Sequence, residues 1–590
     1  MRRLCALTTL AAGLLLGVAG VAQASQQQKT DFWLTVLHNN DSESALVNAG
    51  PGLENYGGVA RFATLVERLK ADATTGPIAA HHSGKSGVVM ISSGDNFLPG
   101  ANFSASLAKG VPYYDSIAMN LIGYDASTFG NHEFDLGPDV TAQFIAGFTP
   151  PVPFVSANLN VSGEPALQAL VDTGQVAKSV VVKERGELIG IVGATTPLLP
   201  SITSPRNVVA VADVAGAVQE QVDGLSAAGI DKIILVSHLQ SVNQDLTLIP
   251  RIHGVDLVIA GGGHELLAKS GTPTVPGDTI YNTYPMTTLD LTGHTVPLIT
   301  TAGGYKYVGE FLAQFDKAGD LIGWDTAESG PKIVAGVGPD AVAPDPAVQS
   351  QVVDPVVLYT SAFAQHVLAT SDVPLDGRKS AVRTRETNEG NLMADALRWQ
   401  ASQLLPTAPE TAMQNSGGIR NDSVIPIGNI TELTTYQIAA FSNFLAVVPN
   451  VTPTMFKALL ENEVASEPAA NGAFAQISGF SFVYDIAAPP QSRVVSATLD
   501  DGTAIVAGGV VAPGAPPVGI ATNDFSAKGG DSYPFNGVPF MTLGVPYQQA
   551  LANYITTGLA GHITAADYPA GGEGRITCVD GNGAALPNCP

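Results

Sequence analysis

The sequence predicts an α/β protein in two parts, a layered N-terminal α/β domain and a smaller C-terminal α/β domain joined by a helix. Three observations lead there. The chain has 590 residues, more than a single hydrophobic core usually supports. Across 31–320, short apolar runs alternate with helical patterns, the signature of strands interleaved with helices. Over 338–348 the alternation gives way to a stretch rich in Pro, Asp and Val. A helical pattern follows over 346–368, and a second set of strands and helices begins near 369.

Within the first part, the runs Phe32–Leu37, Val88–Ile91, Leu188–Val192, Ile233–Val236 and Leu257–Ile259 read as buried strands. Helical patterns cover 57–71 and 211–228. In the second part a helix is expected over 388–404, capped by Thr387 or Asn388. The last stretch, 563–590, is rich in Gly and Pro and reads as a loop. The domain limits that result are 31–345, a connecting helix over 346–368, and 369–562.

The N-terminus reads as a signal peptide over 1–24. Arg2 and Arg3 precede an almost wholly apolar run, 6–22, and Ala22-Gln23-Ala24 supplies a small-x-small cleavage pattern. The signal is of the Sec type and implies a periplasmic or extracellular protein. Of three cysteines, Cys5 leaves with the signal. Cys578 and Cys589 remain, an even pair expected to close the tail as a disulfide in an oxidising compartment. No later apolar stretch is long enough to span a membrane.

Lys and Arg number 28 against 52 Asp and Glu, a formal charge of −24. Such a chain does not hold a nucleic-acid polymer or an anionic membrane through its overall field. An anionic substrate would need local cations, either a metal or clustered arginines. Candidate ligands fall just after strand ends: Asp41 and Glu43 in His38-Asn39-Asn40-Asp41-Ser42-Glu43, Asp95 in Gly94-Asp95-Asn96, Asn131, His132 and Asp135 in Gly130-Asn131-His132-Glu133-Phe134-Asp135, His238 in Ser237-His238, and His264 and Glu265 after Gly261-Gly262-Gly263. Sites in open α/β sheets gather at these carboxyl ends. Carboxylate, amide oxygen and imidazole suit Mn, Zn, Fe or Mg rather than a metal selected by thiolates.

In this order the motifs resemble the calcineurin-like metallophosphatases, and Gly-Asn-His-Glu-Phe-Asp resembles their 5′-nucleotidase branch. The resemblance implies a four-layer αββα metallophosphatase domain and two divalent ions, among Mn, Zn, Co, Mg and Ca. A shared carboxylate would hold the ions roughly 3.5–4 Å apart for in-line attack on phosphorus. Position by position, it implies Asp95 as the bridging carboxylate and Asp41 as a ligand of the first ion. Asn131 and His238 would be ligands of the second, and His132 with Asp135 the catalytic dyad. The chain departs from the family twice. Glu43 stands where a histidine is usual. In the 260–266 motif, an ungapped match puts Gly262 and His264 on the two expected histidines. An inserted Gly, the preferred reading, puts His264 on the first, with Glu265 as a compensating ligand. Both departures concern the first ion.

Three stretches of the second part resemble the 5′-nucleotidase C-terminal domain: 378–392, Asn415-Ser416-Gly417-Gly418-Ile419-Arg420, and 522–531. The resemblance implies phosphate-side arginines at Arg383 and Arg420, with Arg378 or Lys379 as a further cation. It also implies a base between Phe441 and Phe525, an amide contact from Asn443 and a ribose acceptor in Asp531. Arginine forks match phosphate oxygens two at a time, and stacking on each aromatic face is worth roughly 1–3 kcal/mol. The expected protein is a monomeric hydrolase of nucleotides, a 5′-nucleotidase and UDP-sugar hydrolase. A 2′,3′-cyclic phosphodiesterase/3′-nucleotidase or a broad alkaline phosphatase stays open beside it. From another class, so does a non-catalytic surface binding protein, for which Glu43 is the best support.

Overall fold

The computed structural model describes residues 30–586 except 51, 82–84 and 442. The expected signal peptide and Cys589 lie outside the described residues. Two sheets build the N-terminal half. In the first, Phe32–Asn39, Lys85–Ser92, Ala126–Thr128, Phe154–Val155 and Val176–Ala177 run parallel in that order. On the other flank of Phe32–Asn39 lies the antiparallel Tyr307–Phe315, followed by Leu321–Trp324. The second sheet is ordered Met286–Leu289, Thr295–Ile299, Leu257–Ile259, Lys232–His238, Glu187–Thr195 and Ser179–Glu184.

Period-two alternation decides which face each residue serves. Phe32, Leu34 and Val36 enter the core between the sheets with Ile191, Ile234 and Val258. Leu37 joins the opposite layer with Phe62, Leu65 and Val66 of the Val59–Thr74 helix and with Met119. On the far sheet, Val218 and Val222 of the Val214–Ala227 helix complete the layers. The order is helix, sheet, sheet, helix.

Three consecutive helical segments, Pro346–Val348, Gln349–Val353 and Asp354–Gln365, occupy the stretch expected to be a connecting helix over 346–368. Asp345 caps them by accepting from the amides of Ala347 and Val348. The C-terminal half holds a five-stranded sheet, Ala475–Ser478, Thr411–Asn415, Val518–Asn523, Phe444–Val451 and Met541–Pro546, covered by the Asn388–Leu404 helix. Thr387 is that helix's cap, its hydroxyl accepting from Gly390 N, an interaction worth about 1 kcal/mol.

The tail is not the simple loop expected over 563–590. Ile576–Val579 pairs in parallel with Phe480–Asp485 and forms an edge of a second five-stranded sheet. Arg575 anchors it with a bidentate pair to Asp395, at 2.7 and 2.8 Å. The glycines at 571, 572 and 574 obscure the strand in the sequence. Burial of Cys578 against Phe480, Phe482 and Tyr484 is what makes it one. No described helix is long and apolar enough to cross a membrane.

Candidate functional site

The parallel strands deliver their carboxyl ends to one edge, and the loops there carry the ligand candidates. Asp41, Glu43, Asp95 and His264 all sit at left-handed backbone angles, with φ of 51°, 51°, 52° and 56°. That region is sparsely populated by residues other than Gly and concentrates at functional sites. Glu133 ties two of the loops together. Its buried carboxylate accepts from the amides of Asp95, Asn96 and Gly130 at 3.0, 2.7 and 2.6 Å. Gly130 must be glycine, since a Cβ there would stand 2.0 Å from Asp95 Oδ1.

The donors form one patch of three overlapping groups: Asp41, Asp95 and His238; Asp41, Glu43 and His264; Glu43, Asp95 and His132. Within each, the donor atoms lie within 4.8 Å of one another. Asp95 Oδ2 is 3.0 Å from His238 Nε2 and 3.9 Å from His132 Nε2. His264 Nε2 is 3.2 Å from Glu43 Oε1 and 3.8 Å from Asp41 Oδ1.

The patch fits cations. His238 Nδ1 lies 2.7 Å from the Ser93 carbonyl, which can only accept, so that nitrogen donates. Its Nε2 is left facing oxygens alone, Asp95 at 3.0 Å and Asn131 Oδ1 at 3.3 Å. A nitrogen in that position needs a proton or a cation between itself and the oxygens. The electrostatics agree. Burial disfavours charge on His238, yet Asp95 and then Asp41 push its pKa up to about 10. Burial likewise works against Glu43, but His264 beside it holds the carboxyl well below the usual range. Oxygen and imidazole donors without thiolate suit hard or borderline divalent ions.

Beside the patch, His132 Nδ1 meets Asp135 Oδ2 at 2.7 Å, and Asp135 Oδ1 accepts from Thr203 Oγ1 at 2.7 Å. Burial opposes a charged His132, but Asp135 and then Asp95 raise its pKa to about 10. A cavity of about 400 Å³ opens here between the two halves. Its walls include His132, Asp135, Arg383, Arg420, Phe441 and Phe525, and Asn131, Asn443 and Asp531 line it as well. Asp531 is itself left-handed, φ 51°, and accepts from Asn415 Nδ2 at 2.7 Å.

A model of the 5′-nucleotidase C-terminal domain matches residues 367–537. The crystal structure of a 5′-nucleotidase precursor from Thermus thermophilus superposes with a TM-score of 0.72 at 29% identity, covering 93% of this chain and 99% of that one. Mouse 5′-nucleotidase is 27% identical over 486 residues, 78% of this chain and 77% of its own length. Over most of its length the chain is similar to 5′-nucleotidases, and its second half matches their C-terminal domain. The trifunctional nucleotide phosphoesterase protein YfkN of Bacillus subtilis (strain 168) is 28% identical over 86% of this chain, which spans only 32% of that longer protein.

Against the family pattern, the 260–266 loop resolves into separate contacts. Gly262 supplies its amide to both oxygens of Asp41, at 3.2 and 3.1 Å, and His264 is the imidazole of this loop that reaches Asp41 and Glu43. Glu265, expected as a compensating ligand, stands outside the donor groups. Its Oε1 accepts from Val242 N at 3.2 Å, at the start of the Val242–Leu248 helix. Arg378 is likewise not gathered into the cavity. Its guanidinium forks onto Asp376 at 2.8 and 2.7 Å and is half exposed. Burial lowers the pKa of the neighbouring Lys379, and the charges of Arg420 and Arg383 lower it further. A helix begins at Lys379, so neighbouring residues diverge there.

Sequence reasoning did not find Thr203, Gln240 or Asn415. Gln240 donates to Asn131 Oδ1 at 2.7 Å. Asn415 opens a motif already noted, and two residues after a strand-end histidine Gln240 was within reach. Thr203 sits in a loop with no signal of its own.

Proposed function

We propose that this chain is a metal-dependent phosphohydrolase of nucleotides that removes the 5′-phosphate of nucleoside monophosphates. The observation that carries this is one cavity lined both by His132, Asp135 and Asn131 from the N-terminal half and by Arg383, Arg420, Phe441, Phe525 and Asp531 from the other. Its volume suits a small ligand held in a cleft between domains.

In this reading Asp41, Glu43, Asp95, Asn131, His238 and His264 hold two divalent cations, which supply Lewis acidity toward water and the phosphoryl oxygens. Arg383 and Arg420 neutralise the phosphate in a strongly acidic protein. His132, kept protonated and aimed by Asp135, donates toward charge growing on the phosphoryl group or the departing oxygen. Asp135 is in turn aimed by Thr203. Phe525 and Phe441 flank the base, Asn443 contacts it, and Asp531, held by Asn415, accepts from the ribose. We take 31–345 as the metal-bearing domain and 369–562 as the substrate domain. Export through the 1–24 signal, the Cys578–Cys589 disulfide and a monomeric state belong to the same reading.

The test is turnover of AMP, UDP-glucose and a 2′,3′-cyclic nucleotide by the purified protein, with metal content measured on the same sample. Fastest hydrolysis of AMP with two divalent ions per chain is expected. Preference for the cyclic ester would move the activity to phosphodiester cleavage. No turnover of any of the three by metal-loaded protein would end the reading.

A further inference from the structure

Phe441 does more in this arrangement than line a wall. Its ring stacks on the imidazole of His132, with centroids 5.6 Å apart and planes 13° from parallel. The Arg420 guanidinium carbon lies 5.0 Å from the Phe441 centroid. The backbone of Phe441 is held by Tyr547, whose hydroxyl accepts from Phe441 N at 3.0 Å and donates to Gly418 O at 3.0 Å. That single buried phenol joins the Phe441 loop to the loop carrying Arg420. The face of Phe441 that meets His132 is closed to a base, so at most one face serves the stacking assigned to it above.

From its own domain His132 has one side-chain hydrogen bond, Nδ1 to Asp135, and its Nε2 stands 3.9 Å from Asp95, beyond hydrogen-bonding reach. A hydrogen bond at one nitrogen leaves the ring free to tilt about that contact. A flat partner stacked on the ring removes the tilt. We propose that Phe441 is a positioning residue for His132. The substrate domain thereby completes the aim of the catalytic histidine, whichever base, if any, the substrate carries.

This inference rests on the nucleotide-hydrolase reading for the role of His132, and the experiment separates the two. Phe441→Leu, Phe441→Tyr and Phe525→Leu are compared with wild type, all metal-loaded, on AMP and on ribose 5-phosphate, which has no base. A pure base wall would cost affinity for AMP alone. A positioning residue costs kcat on both substrates. The expected result for Phe441→Leu is a fall in kcat of about tenfold or more on both, with Phe441→Tyr, which keeps the ring, within about threefold of wild type. Phe525→Leu raises KM for AMP by a larger factor than KM for ribose 5-phosphate.

In parallel, the ring carbon protons of His132 are followed by NMR on histidine-labelled protein and assigned with His132→Ala. They move downfield in Phe441→Leu, as the ring-current shift of the stacked phenyl is lost, and stay in place in Phe441→Tyr. Unchanged kcat on ribose 5-phosphate together with unmoved His132 resonances in Phe441→Leu overturns the inference. Failure of wild type to prefer AMP over ribose 5-phosphate overturns the nucleotide reading instead, and leaves the kcat and NMR comparison intact.

Discussion

The two sides of the donor patch are built by different means. On the Asp95–His238 side every donor is buried and pinned by a neighbour: His238 by the Ser93 carbonyl, Asn131 by Gln240, and Asp95 by the amide of His132 at 2.8 Å. On the Asp41–Glu43 side, Asp41 is equally buried, but His264 arrives on a turn after three glycines with its side chain 40% exposed, and its nearest partner is a carboxylate. Outer partners that fix a ligand's orientation typically govern affinity by factors of about 10–100. One side is therefore organised before a cation arrives; on the other, Asp41 is held by the Gly262 amide and His264 is left for the cation to fix.

The sharpest way to break this comparison is to remove what both sides share. Asp95→Ala takes a carboxylate from two of the three donor groups and is expected to abolish turnover and cation binding together, read by elemental analysis and rate on one sample. Retention of two cations would mean that Asp95 does not join the sides. Next in size, His132→Ala lowers kcat by about 10²–10⁴-fold while metal content stays at the wild-type value. Loss of metal in that variant would make His132 a ligand instead.

Smaller effects separate the sides themselves. Graded chelation should release one cation per chain well before the other, and His264→Ala should retain a single cation. Simultaneous release would erase the distinction. Gln240→Ala is expected to weaken the tighter cation by about 10–100-fold, measured by competition with a chelating dye. The smallest effect belongs to Arg378→Ala, which should leave the rate within about twofold, as expected for an exposed ion pair, whereas Arg383→Ala raises KM by about tenfold or more. An equal loss at Arg378 would return it to the cavity.

Much of this was legible in the chain. The ends of Phe32–Asn39, Lys85–Ser92 and Lys232–His238 were readable because fully apolar runs stop abruptly at polar residues, and Gly130–Asp135 is a dense enough motif to place a dyad. Tyr307–Phe315 was missed as a strand, and Ile576–Val579 was hidden by the glycines before it. Ile576–Val579 pairs with a segment far away in the chain, and Tyr307–Phe315 pairs with the distant Phe32–Asn39 as well as with Leu321–Trp324 just after it; local patterning carries no record of the distant partners. The fate of Arg378 was unreadable for the opposite reason, since it depends on Asp376 only two residues away, and two cations in adjacent positions offer no basis for choosing. Thr203 and Gln240 act through single hydrogen bonds across 68 and 109 positions, a distance at which sequence alone names no pair.

The clasp made by Glu133 bears on what happens when the cations leave. The amides of Asp95, Asn96 and Gly130 are held by a carboxylate of the chain itself, in a site where burial and then the charge of Asp95 push the Glu133 pKa up to about 7. Their geometry does not depend on an ion, unlike small domains whose folding is the metal's binding energy. Stripping the cations should therefore leave a folded protein in which these three amides still exchange slowly with deuterated solvent, and restored metal should bring activity back without a refolding lag.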